Sequence, residues 1–144
     1  MVSAKQIENF LKAVELDFPV PLSQKTDLVE LSIKLSERAD AFTIEDKGKI
    51  VSAVFGYIDN ASGDLGYISI VATLLEYRGN GYSKKLTRDF LNKAEKKGLK
   101  GVHLYTVRTN TAAVQLYCSL GFEEYLQENE PRPDDYHLIK RFGD

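Results

Sequence analysis

The chain has 144 residues and is 43% hydrophobic, enough for one substantial core, so a single domain over residues 1–144 is expected. Its 19 Lys+Arg against 21 Asp+Glu give a net charge of −2, without the basic excess of a nucleic-acid binder. The lone cysteine, Cys118, excludes an internal disulfide and a Cys-rich zinc site, and His103 and His137 stand far apart, so no metal is expected. No signal-peptide layout and no apolar run of membrane-spanning length are present, which predicts a cytoplasmic protein that does not engage a membrane.

Ser3 followed by Gln6 forms a capping-box pattern, and Ile7, Phe10, Leu11 and Val14 then share one helical face. Phe18-Pro19-Val20-Pro21 stops that helix, and Ser23 is expected to cap a second one carrying Leu28, Leu31 and Leu35. Residues 41–45 and 50–58 flank the turn Asp46-Lys47-Gly48-Lys49 as a hairpin, and Asn60-Ala61-Ser62-Gly63 turns into a third strand over 65–73. A helix from Ser83 to Lys97, a strand over 101–107, a helix from Thr111, and strands over 122–127 and 136–141 complete the chain. Gly98 and Gly121 stand where helices end. The order α-α-β-β-β-α-β-α-β-β predicts an α/β fold, one mixed sheet with helices on its faces and two helices at the N-terminus.

Arg78-Gly79-Asn80-Gly81-Tyr82-Ser83 joins a strand to a helix. Its glycines let the backbone approach a ligand, and the first amides of a helix lack intrahelical partners, so an anion suits the turn. Downstream, the strand at 102–107 leads into Asn110-Thr111-Ala112-Ala113-Val114-Gln115-Leu116-Tyr117-Cys118-Ser119-Leu120-Gly121-Phe122. Arg78-x-x-Gly81-x-Ser83 followed by Asn110-x-x-Ala113-x-x-x-Tyr117-x-x-x-Gly121-Phe122 resembles the GNAT superfamily of acyl-CoA N-acyltransferases, in its single-domain bacterial form. The resemblance runs from about Phe42 to the C-terminus. Two departures stand out: Ser83 replaces the usual Gly or Ala, and the chain opens on a helix where the family usually opens on a strand.

The resemblance implies an acetyl-CoA-dependent N-acetyltransferase whose partners are acetyl-CoA, as donor, and an amine acceptor on a small molecule or a protein. The backbone of Arg78, Gly79, Asn80, Gly81, Tyr82 and Ser83 would cradle the pyrophosphate, with Lys84 and Lys85 adding charge. Arg88 reads as part of the solvated helix face. Val71, Ala72 and Thr73 would pair with the pantetheine arm as an added strand. Asn110 would cap its helix and touch the same arm. Tyr117 would protonate the leaving thiolate, a role open to a phenol with an ordinary pKa of about 10. Cys118 reads as a small buried core residue, and neither histidine is assigned a role.

The general base is left open. Tyr67 stands where members acting on lysine carry a glutamate, Glu45, Asp59 and Glu76 read equally well as exposed strand-end or turn residues, and a water relay is a further route. The acceptor would meet Phe18-Pro19-Val20-Pro21-Leu22-Ser23 and the acidic stretch 128–135, which would draw in a cationic amine if it lined the cleft. An unpaired edge strand leaves room for a homodimer. The competing reading from another class is a non-catalytic module that binds or senses acyl-CoA. A nucleotide hydrolase is disfavoured, because the turn lacks a Gly-Lys-Ser/Thr ending.

Overall fold

Helix α1 (Ala4–Val14) starts where the capping box requires: the Ser3 hydroxyl accepts from the Gln6 amide at 3.1 Å, and the Gln6 side chain accepts from the Ser3 amide at 3.0 Å. In this computed structural model residues 2–143 are described; Met1 and Asp144, the ends of the expected 1–144 domain, lie outside the described residues. Helix α2 (Leu28–Arg38) begins later than Ser23 suggested. Asp27 is its cap, accepting from the Val29 and Glu30 amides at 2.8 and 3.1 Å, while Ser23 sits in a separate single turn over Leu22–Gln24.

The strands are β1 (Asp40–Asp46), β2 (Lys49–Tyr57), β3 (Leu65–Thr73), β4 (Gly101–Val107), β5 (Glu123–Glu124) and β6 (Asp135–Arg141), with α3 (Tyr82–Lys96) and α4 (Thr111–Ser119) between them. They form one six-stranded sheet in the order β1-β2-β3-β4-β6-β5, so the expected order of elements and the mixed α/β fold are both present. Only β3 and β4 run parallel. The expected strand over 122–127 shrinks to two residues, because the Phe122 amide stays bonded to Tyr117 O at the end of α4 and the chain leaves the sheet by Leu126, 82% exposed.

Alternation along the strands divides the core in two. Ile7, Phe10, Leu11 and Leu35 of the first helices pack on one face with Val51, Phe55 and Ile70; Leu86, Phe90 and Leu91 of α3 pack on the other with Val54, Ile68, Val102 and Leu104. Ile68 and Ile70 are two residues apart yet face opposite ways, because a bulge at the exposed Ser69 shifts the register between β2 and β3. Buried Asp40 ties three elements together: it accepts from the Ile58 amide at 2.7 Å and the Asp59 amide at 3.1 Å, and binds Lys93 of α3.

Beside the bulge, Gly56 fits because it has no side chain. A Cβ there would lie 2.3 Å from Tyr67 O and 2.6 Å from the Phe90 ring, closer than real contacts allow. Gly56→Ala is therefore expected to destabilise the fold by about 1–3 kcal/mol. Urea unfolding checks this: the midpoint should fall with the slope unchanged.

Candidate active site

Strand β3 pairs with β2 from Tyr67 to Thr73, interrupted by the bulge at Ser69, but pairs with β4 only at Leu65–Gly101, Gly66–Val102 and Tyr67–His103. Beyond Tyr67 the two strands part. The Leu74 amide bonds to Val51 O at 2.8 Å, which fixes the alternation: Ile70, Ala72 and Leu74 aim their backbone groups at β2, and Val71 and Thr73 aim theirs into the opening. Of the predicted segment Val71, Ala72 and Thr73, Val71 thus presents its amide and carbonyl to the opening and Thr73 its amide, while Thr73 O is taken by Arg78 and Ala72 is committed to the sheet.

The opening runs into the glycine turn. Gly79 and Gly81 have φ of 86° and 75°, and a Cβ on either would meet open space. Gly81 is the N-cap of α3 and no side chain caps the helix, so the amides from Gly81 to Lys84 lack helix partners and create a positive end. The side chains of the turn are busy elsewhere. Arg78 Nε donates to Thr73 O at 3.1 Å and its guanidinium pairs with Asp17 at 2.7 Å, and Asn80 Nδ2 donates to Tyr77 O at 3.0 Å. Ser83 Oγ lies 2.9 Å from Thr73 Oγ1, which lies 2.7 Å from Ser52 Oγ, so three hydroxyls lash the strand ends to the start of α3. Lys85 pairs with Asp89 along the helix, and Arg88 is exposed as expected.

Asn110 caps α4 through Ala113 N at 3.2 Å. Two turns on, the Tyr117 ring is buried against Phe122 on the α3 face, and burial pushes its phenol above the ordinary value. Its hydroxyl has no hydrogen-bond partner among the described residues, although none of the fully buried side-chain polar atoms there goes unpaired. The hydroxyl therefore keeps some solvent access on a residue that is only 6% exposed. Cys118, expected in the core, is exposed: on a short helix that buries Tyr117, the next residue points about 100° away.

On the opposite face a cavity of about 440 Å³ is lined by Lys34 and Arg38 of α2, Tyr57 of β2, Tyr67 of β3, and His103 and Tyr105 of β4. Behind it stands a hydrogen-bonded group that sequence reasoning did not assemble. His103 Nδ1 is 2.7 Å from His137 Nε2, His137 Nδ1 is 2.8 Å from Glu130 Oε2, and the Tyr105 hydroxyl donates to Glu130 Oε1 at 2.6 Å. Tyr105 and His137 are direct partners across β4 and β6 and stack at 4.1 Å. The carboxylates considered as bases are elsewhere: Glu45 accepts from Gln6, Asp59 is held by Lys93 and Lys97, and Glu76 is exposed in a turn.

The sequence model of the Acetyltransferase (GNAT) family matches residues 7–122, across both the glycine turn and α4. The chain belongs to the GNAT acetyltransferase family. Among curated relatives, a mycothiol acetyltransferase of Thermobispora bispora is 36% identical over 91 residues, 60% of this chain and 31% of its own length. N-alpha-acetyltransferase 30 of Schizosaccharomyces pombe is 34% identical over 87 residues, 59% of this chain and 58% of its own. This GNAT chain thus matches under two thirds of either relative. Solved structures with the same fold include Ard1 from Thermoplasma volcanium (TM-score 0.75, 19% identity, 99% of this chain and 95% of that one). PaiA N-acetyltransferase from Thermoplasma acidophilum, in complex with coenzyme A, has TM-score 0.75 at 11% identity, covering 98% and 96%. No helix among the described residues is long and apolar enough to cross a membrane.

The hydroxyl chain gives the Ser83 side chain a structural role. Ser83→Ala should lower folding stability by about 0.5–1.5 kcal/mol, the worth of one hydrogen bond, by freeing the start of α3 from Thr73. Thermal melting checks this, and a gain in stability would show that the serine strains the turn.

Proposed function

We propose that this GNAT domain transfers the acetyl group of acetyl-CoA to an amine. The observation that carries the reading is the continuity between the parted edge of β3 and the uncapped start of α3: unpaired strand backbone followed directly by unpaired helix amides. A pantetheine arm is amide-rich and extended and a pyrophosphate is anionic, so the two parts of one donor suit the two halves of one groove. Val71 and Thr73 offer backbone groups to the arm. The amides from Gly79 to Ser83 meet the phosphates, and Asn110, fixed as the cap of α4, is read as a further contact to the arm.

For catalysis, Tyr117 is the acid. Burial favours its neutral form, so the proton is present at neutral pH for the departing thiolate. The arrangement serves acetyl transfer with no metal. A non-catalytic acyl-CoA module is the competing reading, because Tyr67 stands at the position of a familiar glutamate. Release of free CoA in the presence of primary amines separates the two.

Two substitutions test the reading. Gly81→Val forces a branched residue to φ 75° in front of the amides, so acetyl-CoA affinity should fall by at least about tenfold in a folded protein, as read by calorimetry. Unchanged affinity would sink the phosphate site. Tyr117→Phe keeps the ring and should leave acetyl-CoA binding intact while the chemical step slows roughly 10²–10⁴-fold. Single-turnover kinetics on an accepted amine would reveal it; an unslowed variant makes Tyr117 a packing residue.

A further inference from the structure

An ionised carboxylate only accepts hydrogen bonds, and both oxygens of Glu130 are engaged, Oε1 by Tyr105 and Oε2 by His137. That fixes the protons along the line. His137 Nδ1 must carry a hydrogen to reach Glu130, so in the neutral ring its Nε2 is a lone pair. His103 Nδ1, 2.7 Å away, must then be the donor, which leaves His103 Nε2 bare. Nε2 has no partner among the described residues and is not a fully buried orphan, so it opens on the cavity that His103 lines. The three groups form a line rather than a converging set, and no metal-holding cluster is found among the described residues.

Position adds to tautomer. His103 and Tyr67 make the last rung before β3 and β4 part. His103 alternates with Val102 and Leu104, which face α3 and share a cluster with Tyr117, so the imidazole and the phenol approach the opening from opposite faces of the sheet.

We propose that His103 is the general base of this acetyl transfer, with His137 and Glu130 holding its tautomer and stabilising the imidazolium that forms. The proposal rests on the acetyltransferase reading above. The acceptor ammonium gives one proton to His103 Nε2; the freed amine attacks the thioester carbon, the C–N bond forms and the C–S bond breaks. The thiolate takes its proton from Tyr117, and the second amine proton replaces the one that Tyr117 gave up. His103 returns its proton to solvent, so the sum is acetylamide, free CoA and one released proton.

The groups facing His103 come from every neighbouring element. Tyr67 of β3 and Tyr105 of β4 flank it, Tyr57 of β2 and Lys34 and Arg38 of α2 line the same cavity, and His137 and Tyr125 close the far side. Glu130 and Arg132 come from the loop before β6, with Arg132 paired to Asp135 and lying over Tyr105. Burial lowers the His103 pKa below its usual value, the neighbouring His137 adds to this, and Glu130 opposes it. The ring is therefore neutral, and a base, at pH 7. A lowered pKa means that base function is lost only as pH falls below the ordinary histidine range.

Two measurements decide the matter. Long-range ¹H–¹⁵N correlation at pH 7.5 should show His103 protonated on Nδ1 and bare on Nε2, with His137 protonated on Nδ1; a proton on His103 Nε2 overturns the proposal. For kinetics, the wild type is screened with acetyl-CoA against diamines, free amino acids and tripeptides with free N-termini. On an accepted amine, His103→Gln should cut kcat/KM by about 10²–10⁴-fold, remove the acid limb of the pH profile, and recover as pH approaches the amine's own pKa. Its acetyl-CoA affinity should hold. Glu130→Gln should move the acid limb to lower pH, since the charge it removes raises the His103 pKa. A His103→Gln protein with a wild-type rate and profile overturns the proposal. Binding of acetyl-CoA without turnover of any amine counts instead against the acetyltransferase reading, and the tautomers still decide the relay.

Discussion

The candidate site depends on one interruption: the β3–β4 ladder ends after three residue pairs. Buried backbone groups are nearly always paired, so a strand that loses its neighbour in mid-sheet must meet water, a side chain or a ligand. Arg78 satisfies Thr73 O from within the chain. The rest of the outer edge of β3 remains available, and it leads to the α3 amides because the Ser52, Thr73 and Ser83 hydroxyls hold strand and helix together. The bulge at Ser69 turns β3 as it leaves β4, which sends Ile70 toward α1 while Ile68 stays with α3. The groove is thus a consequence of sheet geometry, and its walls are held by both halves of the core.

The same interruption connects the two faces of the sheet. Elsewhere the layers of side chains are sealed from each other by paired backbone. On the mechanism proposed above, a reacting group at the opening is approached from the face that buries Tyr117 and from the face that carries the His103 cavity. An acid and a base kept on opposite faces cannot neutralise each other through a direct contact. The phenol raised by burial and the imidazole lowered by burial keep the forms they need at the same pH, since desolvation disfavours charge on both.

Hydrophobic periodicity made most of the fold legible. Helix α1 with its box, strands β3 and β4, and the cap at Asn110 stand where the pattern puts them. Local signals failed where two residues offered the same chemistry: Ser23 and Asp27 are both good caps, and the one adjoining the first buried leucine prevailed. Cys118 shows the limit of reading composition as burial, because in a helix one step of 100° separates a core tyrosine from an exposed neighbour. The glycine turn at the start of α3 and the cap that opens α4 stand where their short motifs put them, because each motif lies within one local stretch. The His103, His137 and Glu130 line was not legible, for it exists only through the pairing of β4 with β6. Once that pairing is known, alternation puts His103, Tyr105 and His137 on one face.

The acidic stretch 128–135 carries the sharpest lesson about charge. As a sequence it suggests a negative loop able to attract cations. In the fold, Glu130 is turned inward with both oxygens engaged, and Asp135 is matched by Arg132. The cavity rim instead bears Lys34 and Arg38, neither ion-paired among the described residues. On the proposed reading, long-range attraction is therefore not what would bring an amine to this cavity. The neutral, aromatic lining of Tyr57, Tyr67 and Tyr105 disfavours charge by desolvation, and in such surroundings an ammonium is more readily relieved of its proton than in water. The proposed base in that lining completes the logic: the environment that weakens an ammonium also lowers the His103 pKa, so proton transfer and desolvation would act in the same direction.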